Sequence, residues 1–122
     1  MPGLGNKGIS KSFKNSIHSF NYNDINSLEK IFKKNKNQIG IVIMEPMRFT
    51  KPKNNFLKNV KKLAKKNGAI LIFDEITCGF HENLGGLHLK FKVTPDMAIF
   101  GKALGNGYPI SAVIGKKKIM NF

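Results

Sequence analysis

The chain has 122 residues, the size of one ordinary domain, and 41% of them are hydrophobic, which excludes a disordered polypeptide. Its formal net charge is +14, but only Arg48 is Arg among the 21 basic residues, and the lysines spread along the whole chain. Nucleic-acid contacts favour a mixture rich in Arg, so a basic nucleic-acid-binding domain is an alternative interpretation and not the leading one.

Several other classes of protein are excluded by simple counts. No run approaches the roughly 20 apolar residues of a membrane span, and the first 25 residues lack the apolar stretch of a secretory signal. The sequence therefore predicts a cytoplasmic protein with no membrane partner. Cys78 is the single cysteine, so no intrachain disulfide is possible, and we interpret it as a small packed residue. Cys78 and the three histidines show no zinc spacing, so no metal site is predicted.

The predicted elements begin after an irregular lead-in. Residues 1–24 are rich in Gly, Asn, Ser and Lys, and their apolar residues show no sustained period, which predicts loops or short extended pieces. Apolar residues then recur every three or four positions over residues 25–32, which predicts a helix. Asp24 or Asn23 is the expected N-cap, and the helix is expected to end in the polar run 33–37.

Strands and helices alternate in the next part of the chain. Residues 39–44 are mostly β-branched, which predicts a strand buried on both faces, as in a parallel sheet. Residues 56–64 form an apolar face with lysines outside it, which predicts a helix that stops at Asn67-Gly68. Residues 69–73 predict a second buried strand. Strand, helix and strand form a βαβ unit with a right-handed crossover, so the fold class is α/β with a mostly parallel sheet.

Two more apolar runs complete the αβαβ core that we expect over residues 25–122. A loop containing several glycines leads to Pro95-Asp96, and the third run follows directly at residues 97–100. Gly101 and Lys102 end this third run. The fourth run covers residues 110–114.

Acidic residues follow the predicted strands. Glu45, Asp74 and Glu75 lie directly after an apolar run. Because ligands bind outside the carboxyl ends of parallel strands, we expect Glu45, Asp74 and Lys102 to point into one crevice. An amine and a carboxylate that converge there suit pyridoxal phosphate, since the amine can form an imine and then act as a base while the carboxylate keeps the ring nitrogen protonated. Each residue also has a simpler interpretation, because lysines are normally solvated and acidic residues after strands often cap turns.

Two motifs in this region resemble those of one enzyme family. Residues 73–80 (Phe-Asp-Glu-Ile-Thr-Cys-Gly-Phe) are similar to the segment that class III (fold-type I) aminotransferases place under the pyridine ring of pyridoxal phosphate. Residues 95–109, from Pro-Asp-Met-Ala to Gly-Asn-Gly-Tyr-Pro, resemble the family's lysine segment. Residues 43–46 (Ile-Met-Glu-Pro) and residues 20–24 fit the same family. Within it, the chain resembles proteins like glutamate-1-semialdehyde aminomutase, a group that includes aminotransferases for sugar-linked or other small carbonyl substrates.

The resemblance implies a fold and a set of roles. The fold is a three-layer αβα arrangement with a mostly parallel sheet, and the chain is a fragment of the family's cofactor-binding large domain. Lys102 is the Schiff-base lysine, and Asp74 pairs with the ring nitrogen. Ile76 packs against one ring face, and Glu45 helps to shape the site. Thr77 stands where many relatives use Gln near the ring hydroxyl, and its side chain reaches less far.

The implied activity is amino-group transfer, or an intramolecular amino shift, on a small amino or carbonyl substrate. The implied partners are an amino-acid or amino-sugar-like donor, a carbonyl acceptor and a second copy in a homodimer. Relatives are several times longer and hold the phosphate with an upstream Gly/Ser-containing turn, which is not visible here before the first helix. We therefore expect a truncated form with weak or no activity alone. Two alternatives remain open: a non-catalytic remnant acting as a partner of a longer homologue, and the basic nucleic-acid-binding domain.

Overall fold

The structure, a computed structural model, describes Phe13 and residues 16–121. Residues 16–24 contain no helix or strand, and residues 1–12, 14 and 15 of the expected irregular lead-in lie outside the described residues. Helices and strands then alternate, with a short 3-10 helix (Lys102–Leu104) inside the lysine segment. The elements in chain order are α1 (Ile25–Lys34), β1 (Ile41–Met44), α2 (Phe56–Lys66), β2 (Ile70–Asp74), α3 (Leu87–Lys90), β3 (Met97–Phe100), β4 (Ala112–Gly115) and α4 (Lys117–Met120).

The four strands form one sheet in the order β1-β2-β3-β4. β1, β2 and β3 are parallel, and β4 is antiparallel to β3. α2 joins β1 to β2, so the predicted βαβ unit and the mostly parallel sheet are confirmed. The register places Met44 beside Phe73 and Asp74 beside Ile99, which aligns the carboxyl ends of the three parallel strands.

α1 begins at the expected N-cap. Asp24 Oδ1 accepts hydrogen bonds from the backbone N–H groups of Asn26 (3.0 Å) and Ser27 (3.3 Å). These bonds satisfy two of the donors that the first turn of any helix leaves free, a contribution of about 1 kcal/mol. The helix ends at Lys34, inside the polar run 33–37 where the sequence predicts its end.

The hydrophobic core lies between one face of the sheet and the helices α1 and α2. Every second residue of β1 and β2 points to this face, as the period of two in a strand requires. Burying each large apolar side chain contributes about 1.5–3 kcal/mol relative to leaving it in water. The buried core residues are Leu28 and Phe32 of α1; Phe56, Leu57, Val60 and Ala64 of α2; Val42, Met44, Leu71 and Phe73 of the strands; and Ala69 and Val93 of the loops.

The other face of the sheet is open at β1. Ile41 is 55% exposed and Ile43 is 53% exposed, whereas Val42 between them is 2% exposed. The prediction that this strand is buried on both faces is therefore wrong. The reason is that β1 is an edge strand whose second face is not covered by α1 or α2.

At the β4 edge of the sheet, the short helix α4 packs on this second face. Met97 and Gly115 share a row with Ile43, and the Met120 sulfur of α4 would lie only 2.9 Å from a Cβ built on Gly115. Helices therefore flank both faces of the sheet, as an αβα fold requires. None of the helices in the described part of the chain is long and apolar enough to cross a membrane.

Candidate functional site

Three predicted site residues lie at one edge of the sheet. Glu45 directly follows β1, Asp74 is the last residue of β2, and Lys102 follows β3 after a single glycine. Since β1, β2 and β3 are adjacent and parallel, their carboxyl ends meet at this edge. The three residues thus come from adjacent strand ends, but the single crevice expected for them is not seen for Glu45, which lines a cavity without Asp74 or Lys102.

The amine of Lys102 has a specific partner. Its Nζ donates a hydrogen bond to Thr77 Oγ1 at 2.9 Å, across 25 positions of sequence. The backbone of Lys102 has a φ of 45°, in the left-handed region that residues other than glycine rarely adopt. Seven other described residues besides glycine also have a positive φ, so the hydrogen bond to Thr77 is the feature that sets Lys102 apart.

Asp74 and Ile76 lie beside the lysine segment. Asp74 Oδ1 accepts a hydrogen bond from the backbone N–H of Ile76 at 3.0 Å, so the carboxylate is held in one orientation. The Ile76 side chain contacts the glycine before the lysine, because a Cβ built on Gly101 would lie 3.5 Å from Ile76 Cγ2. The structure therefore brings Asp74, Ile76, Thr77 and Lys102 into one neighbourhood.

Glu45 faces a different space. Its Oε1 accepts a hydrogen bond from Arg48 at 3.3 Å, and its Oε2 is buried with no partner among the described residues. Glu45 lines a cavity of about 490 Å³ together with Tyr22, Arg48 and Phe49, and neither Asp74 nor Lys102 lines this cavity. The structure therefore places Glu45 at the correct edge but does not join it directly to the lysine.

Glu75 is a site residue to which the sequence interpretation gave no role. It is fully buried at 0% exposure and accepts hydrogen bonds from the backbone of Leu87 and His88 and from the His88 ring. The sequence does contain an indication of this role, because two acidic residues, Asp74 and Glu75, stand together at the end of β2. Successive strand residues point to opposite faces, so only Asp74 can serve the open side while Glu75 must turn inward.

Cys78 lies between these carboxylates. Burial, followed by the negative charges of Glu75 and Glu45, raises the pKa of the Cys78 thiol to about 11. The backbone N–H of Met47 opposes this shift. At neutral pH the residue is a protonated thiol, and only the thiolate is a good nucleophile. This agrees with the interpretation of Cys78 as a packed residue.

The donor set at the sheet edge fits pyridoxal phosphate. The primary amine of Lys102 can attack an aldehyde, the Asp74 carboxylate can pair with a protonated ring nitrogen, and the branched Ile76 side chain can pack on an aromatic face. Among the described residues there is no cluster of three or more His, Cys, Asp or Glu side chains that could hold a metal ion.

Comparison with known proteins gives the same assignment. A glutamate-1-semialdehyde 2,1-aminomutase from Ignicoccus hospitalis is 35% identical over 122 residues, which cover 97% of this chain and 29% of that protein. A 3-aminobutyryl-CoA aminotransferase from Cloacimonas acidaminovorans is 40% identical over 119 residues, 93% of this chain and 29% of that protein. The solved structure of the Sphingopyxis sp. MTA144 FumI protein, in its pyridoxal-phosphate internal aldimine form, matches 91% of this chain at a TM-score of 0.83 and 31% identity.

These matches cover nearly all of this chain but only part of each relative. The chain spans only 28% of the FumI protein and 29% of the two relatives, although nearly all of its own length is matched. The sequence profile of the family Aminotransferase class-III matches residues 6–122, almost the whole chain. Together with the αβα fold and the residues at the sheet edge, this shows that the chain belongs to the class III aminotransferases, a family of pyridoxal-phosphate enzymes.

Proposed function

We propose that this chain carries the lysine-bearing part of an active site for pyridoxal-phosphate-dependent amino-group transfer, or for an intramolecular amino shift. The observation that carries the proposal is the arrangement at the sheet edge. Asp74 and Lys102 leave two adjacent parallel strands, and the Lys102 amine is held at 2.9 Å from Thr77. When bound, pyridoxal phosphate supplies an aldehyde that condenses with amines and a ring that accepts electrons from the substrate carbon.

Each residue has a stated task in this proposal. The Lys102 amine would hold the cofactor through its aldehyde carbon, and as a free amine it would move a proton at the substrate carbon as a base. Asp74 keeps the proton on the ring nitrogen, because a carboxylate beside a pyridinium favours the charged form. Ile76 supports the ring by apolar contact, Thr77 orients the lysine amine, and Glu45 shapes the neighbouring wall.

The substrates are proposed only by class. One relative is an aminomutase and the other is an aminotransferase for an amino-acyl thioester. An amino donor resembling an amino acid or amino sugar and a small carbonyl acceptor fit the transfer reaction, whereas in an intramolecular shift one substrate carries both groups. A homodimer and a cytoplasmic location remain predictions from the family resemblance and the sequence.

The lysine site of the 122-residue chain is open to water. Lys102 is exposed to solvent, and so is Tyr108 in the segment that follows it. Active sites strengthen their electrostatic interactions by excluding water, and an exposed amine lacks this advantage. We therefore expect the chain alone to hold the cofactor weakly and to show little or no amino-transfer activity.

Titration with pyridoxal phosphate tests this proposal. The visible absorption of the lysine-bound cofactor is followed for the natural chain and for Lys102→Ala, Asp74→Asn and the control Lys62→Ala, whose side chain is exposed on α2. We expect Lys102→Ala to abolish the specific signal. Asp74→Asn should weaken affinity about tenfold, or ~1.4 kcal/mol, while Lys62→Ala leaves it unchanged. Equal signals from all four proteins would contradict the proposal and favour a non-catalytic remnant.

A further inference from the structure

The segment between β2 and β3 is anchored by a buried carboxylate. Glu75 Oε1 lies 3.0 Å from the backbone nitrogen of His88 and 2.6 Å from its ring Nδ1, and Oε2 accepts the backbone N–H of Leu87. A carboxylate can only accept, so Nδ1 carries the proton in this contact. Burying a charged group without donors is costly, and here three donors compensate for it. Glu75 thus joins the end of β2 to the start of α3.

The local sequence makes room for this contact. Gly86, just before α3, has a φ of 150°, which side chains other than glycine rarely adopt. A Cβ built on Gly86 would lie 2.8 Å from Glu75 Oε2 and 2.9 Å from His88 Nδ1. Any larger residue at this position would push the carboxylate and the imidazole apart. The close approach of Glu75 and His88 therefore depends on a glycine at position 86.

The anchored segment encloses the strand residue nearest the lysine. Phe100, the last residue of β3, is 4% exposed, with the Phe80 ring 5.5 Å away and the His88 ring 6.2 Å away between centroids. Gly79 completes the enclosure, since a Cβ built there would lie 2.8 Å from the Phe100 ring. Phe100 is separated from Lys102 by one residue, so fixing the Phe100 ring also fixes the direction in which the chain enters Lys102.

The same segment holds the lysine from its other end. Thr77 lies two residues after Glu75 and accepts the hydrogen bond from the Lys102 amine. The backbone of Lys102 is thus constrained through Phe100 while its amine is constrained through Thr77. Both constraints depend on the fold of the segment that Glu75 and His88 hold in place.

We infer that Glu75 and His88 are positioning residues that set the orientation of the Lys102 amine. The use of this positioning in catalysis rests on the proposed function. The effect of Glu75 and His88 on Lys102 can be tested without any cofactor. Neither residue touches the reacting atoms. Both act through Phe100 and Thr77 on a lysine 27 and 14 positions further along the chain, respectively.

A lysine-resolved measurement on the full 122-residue chain tests the inference. All lysines are converted to dimethyl-lysine with labelled formaldehyde, and the methyl resonance of each is recorded by NMR. The proteins are the natural chain, Glu75→Gln, His88→Leu and His88→Asn, whose amide can replace the Nδ1 donor. The control is Glu82→Gln, which makes the same charge change on the surface of the same segment, where Glu82 pairs with Lys90.

The expected result is specific to one lysine. The Lys102 resonance should lie apart from those of the freely exposed lysines in the natural chain, in Glu82→Gln and in His88→Asn. It should move into the exposed group in Glu75→Gln and His88→Leu. The reductive methylation rate of Lys102 should change in the same two variants by about threefold or more, a modest free-energy change.

Two results would overturn the inference. The first is a Lys102 resonance and rate that stay unchanged in folded Glu75→Gln and His88→Leu. The second is a shift that appears equally in Glu82→Gln. If Glu75→Gln does not fold, the comparison of His88→Leu with His88→Asn decides, because both keep the two backbone donors of Glu75. A failed cofactor titration beside a Glu75-dependent Lys102 signal would refute the proposed function and leave this inference standing.

Discussion

Burial and two carboxylates act together on the thiol of Cys78. Its pKa is raised to about 11, first by removal from water and then by the negative charges of Glu75 and Glu45. All three effects disfavour the thiolate, so the sign of the shift is upward. The thiol therefore reports on the carboxylates behind the lysine site, since any change that admits water or removes one charge must lower its pKa.

Alkylation of Cys78 by iodoacetamide should follow this pKa. Because only the thiolate reacts, the rate should rise about tenfold per pH unit from pH 7 to pH 10 with no plateau, whereas a cysteine in an unstructured peptide begins to level near its ordinary pKa. Glu45→Gln should increase the rate at pH 8 modestly, because burial is the larger cause. A plateau below pH 9 in the folded protein would contradict this assignment.

Residue identity at the site was more predictable than residue contacts. Asp74 and Lys102 follow predicted parallel strands, and the motifs at residues 73–80 and 95–109 that resemble the class III family selected them among the acidic residues and lysines. The hydrogen bond from Lys102 to Thr77 could not, since it depends on the left-handed backbone at Lys102 and on the side-chain rotamer. The contact between Glu75 and His88 could not be predicted either, because nothing local in the sequence connects Glu75 to a residue thirteen positions later.

At the scale of elements, β1 leaves apolar side chains exposed on the second face of the sheet. Ile41 and Ile43 expose more than half of their surfaces, and β1 has an unpaired edge in the described chain. At the opposite edge of the sheet, Val113 and Ile114 of β4 are also about half exposed. Exposed strand edges with apolar side chains promote association between copies.

The 122-residue chain should therefore self-associate as its concentration rises. Ile43→Ser should reduce this association, because it removes an apolar side chain from the open face without disturbing the buried residues of β1. Leu84→Ser is the matched control, since Leu84 is 88% exposed in a loop away from the sheet. Sedimentation velocity over a range of concentrations measures the effect. A natural chain that stays monomeric throughout, or equal effects of both substitutions, would show that the open face does not mediate association.

The two longer helices and the three parallel strands were predicted, and the four-residue helices were not. α1 and α2 contain two or more turns, so their apolar period is visible in the sequence, and the three parallel strands have continuous apolar runs. α3 and α4 have four residues each, too few to show a period. β4 begins at Ala112 and not at Ile110, and its antiparallel direction depends on the tight turn of the chain after the lysine.

At the scale of the whole molecule, the chain is an αβα framework, and we propose that it carries a cofactor site at the carboxyl ends of its parallel strands. The sheet supplies Asp74 and Lys102 from adjacent strands, and the segment anchored by Glu75 fixes the lysine from both sides. The large positive charge follows from lysines on the outer faces of the helices and around the sheet. Among the lysines that the structure describes, Lys102 is distinguished by the hydrogen bond of its amine to Thr77, since Lys92 shares its left-handed backbone.

This difference among lysines gives the most direct test of the central claim, that Lys102 is the cofactor lysine. The chain is incubated with limiting pyridoxal phosphate, reduced with borohydride and digested, and the pyridoxyl label on each lysine is counted by mass spectrometry. We expect Lys102 to carry most of the label at low cofactor concentration and Asp74→Asn to reduce this preference. A label spread over the lysines according to their exposure, or concentrated on a different lysine, would contradict it.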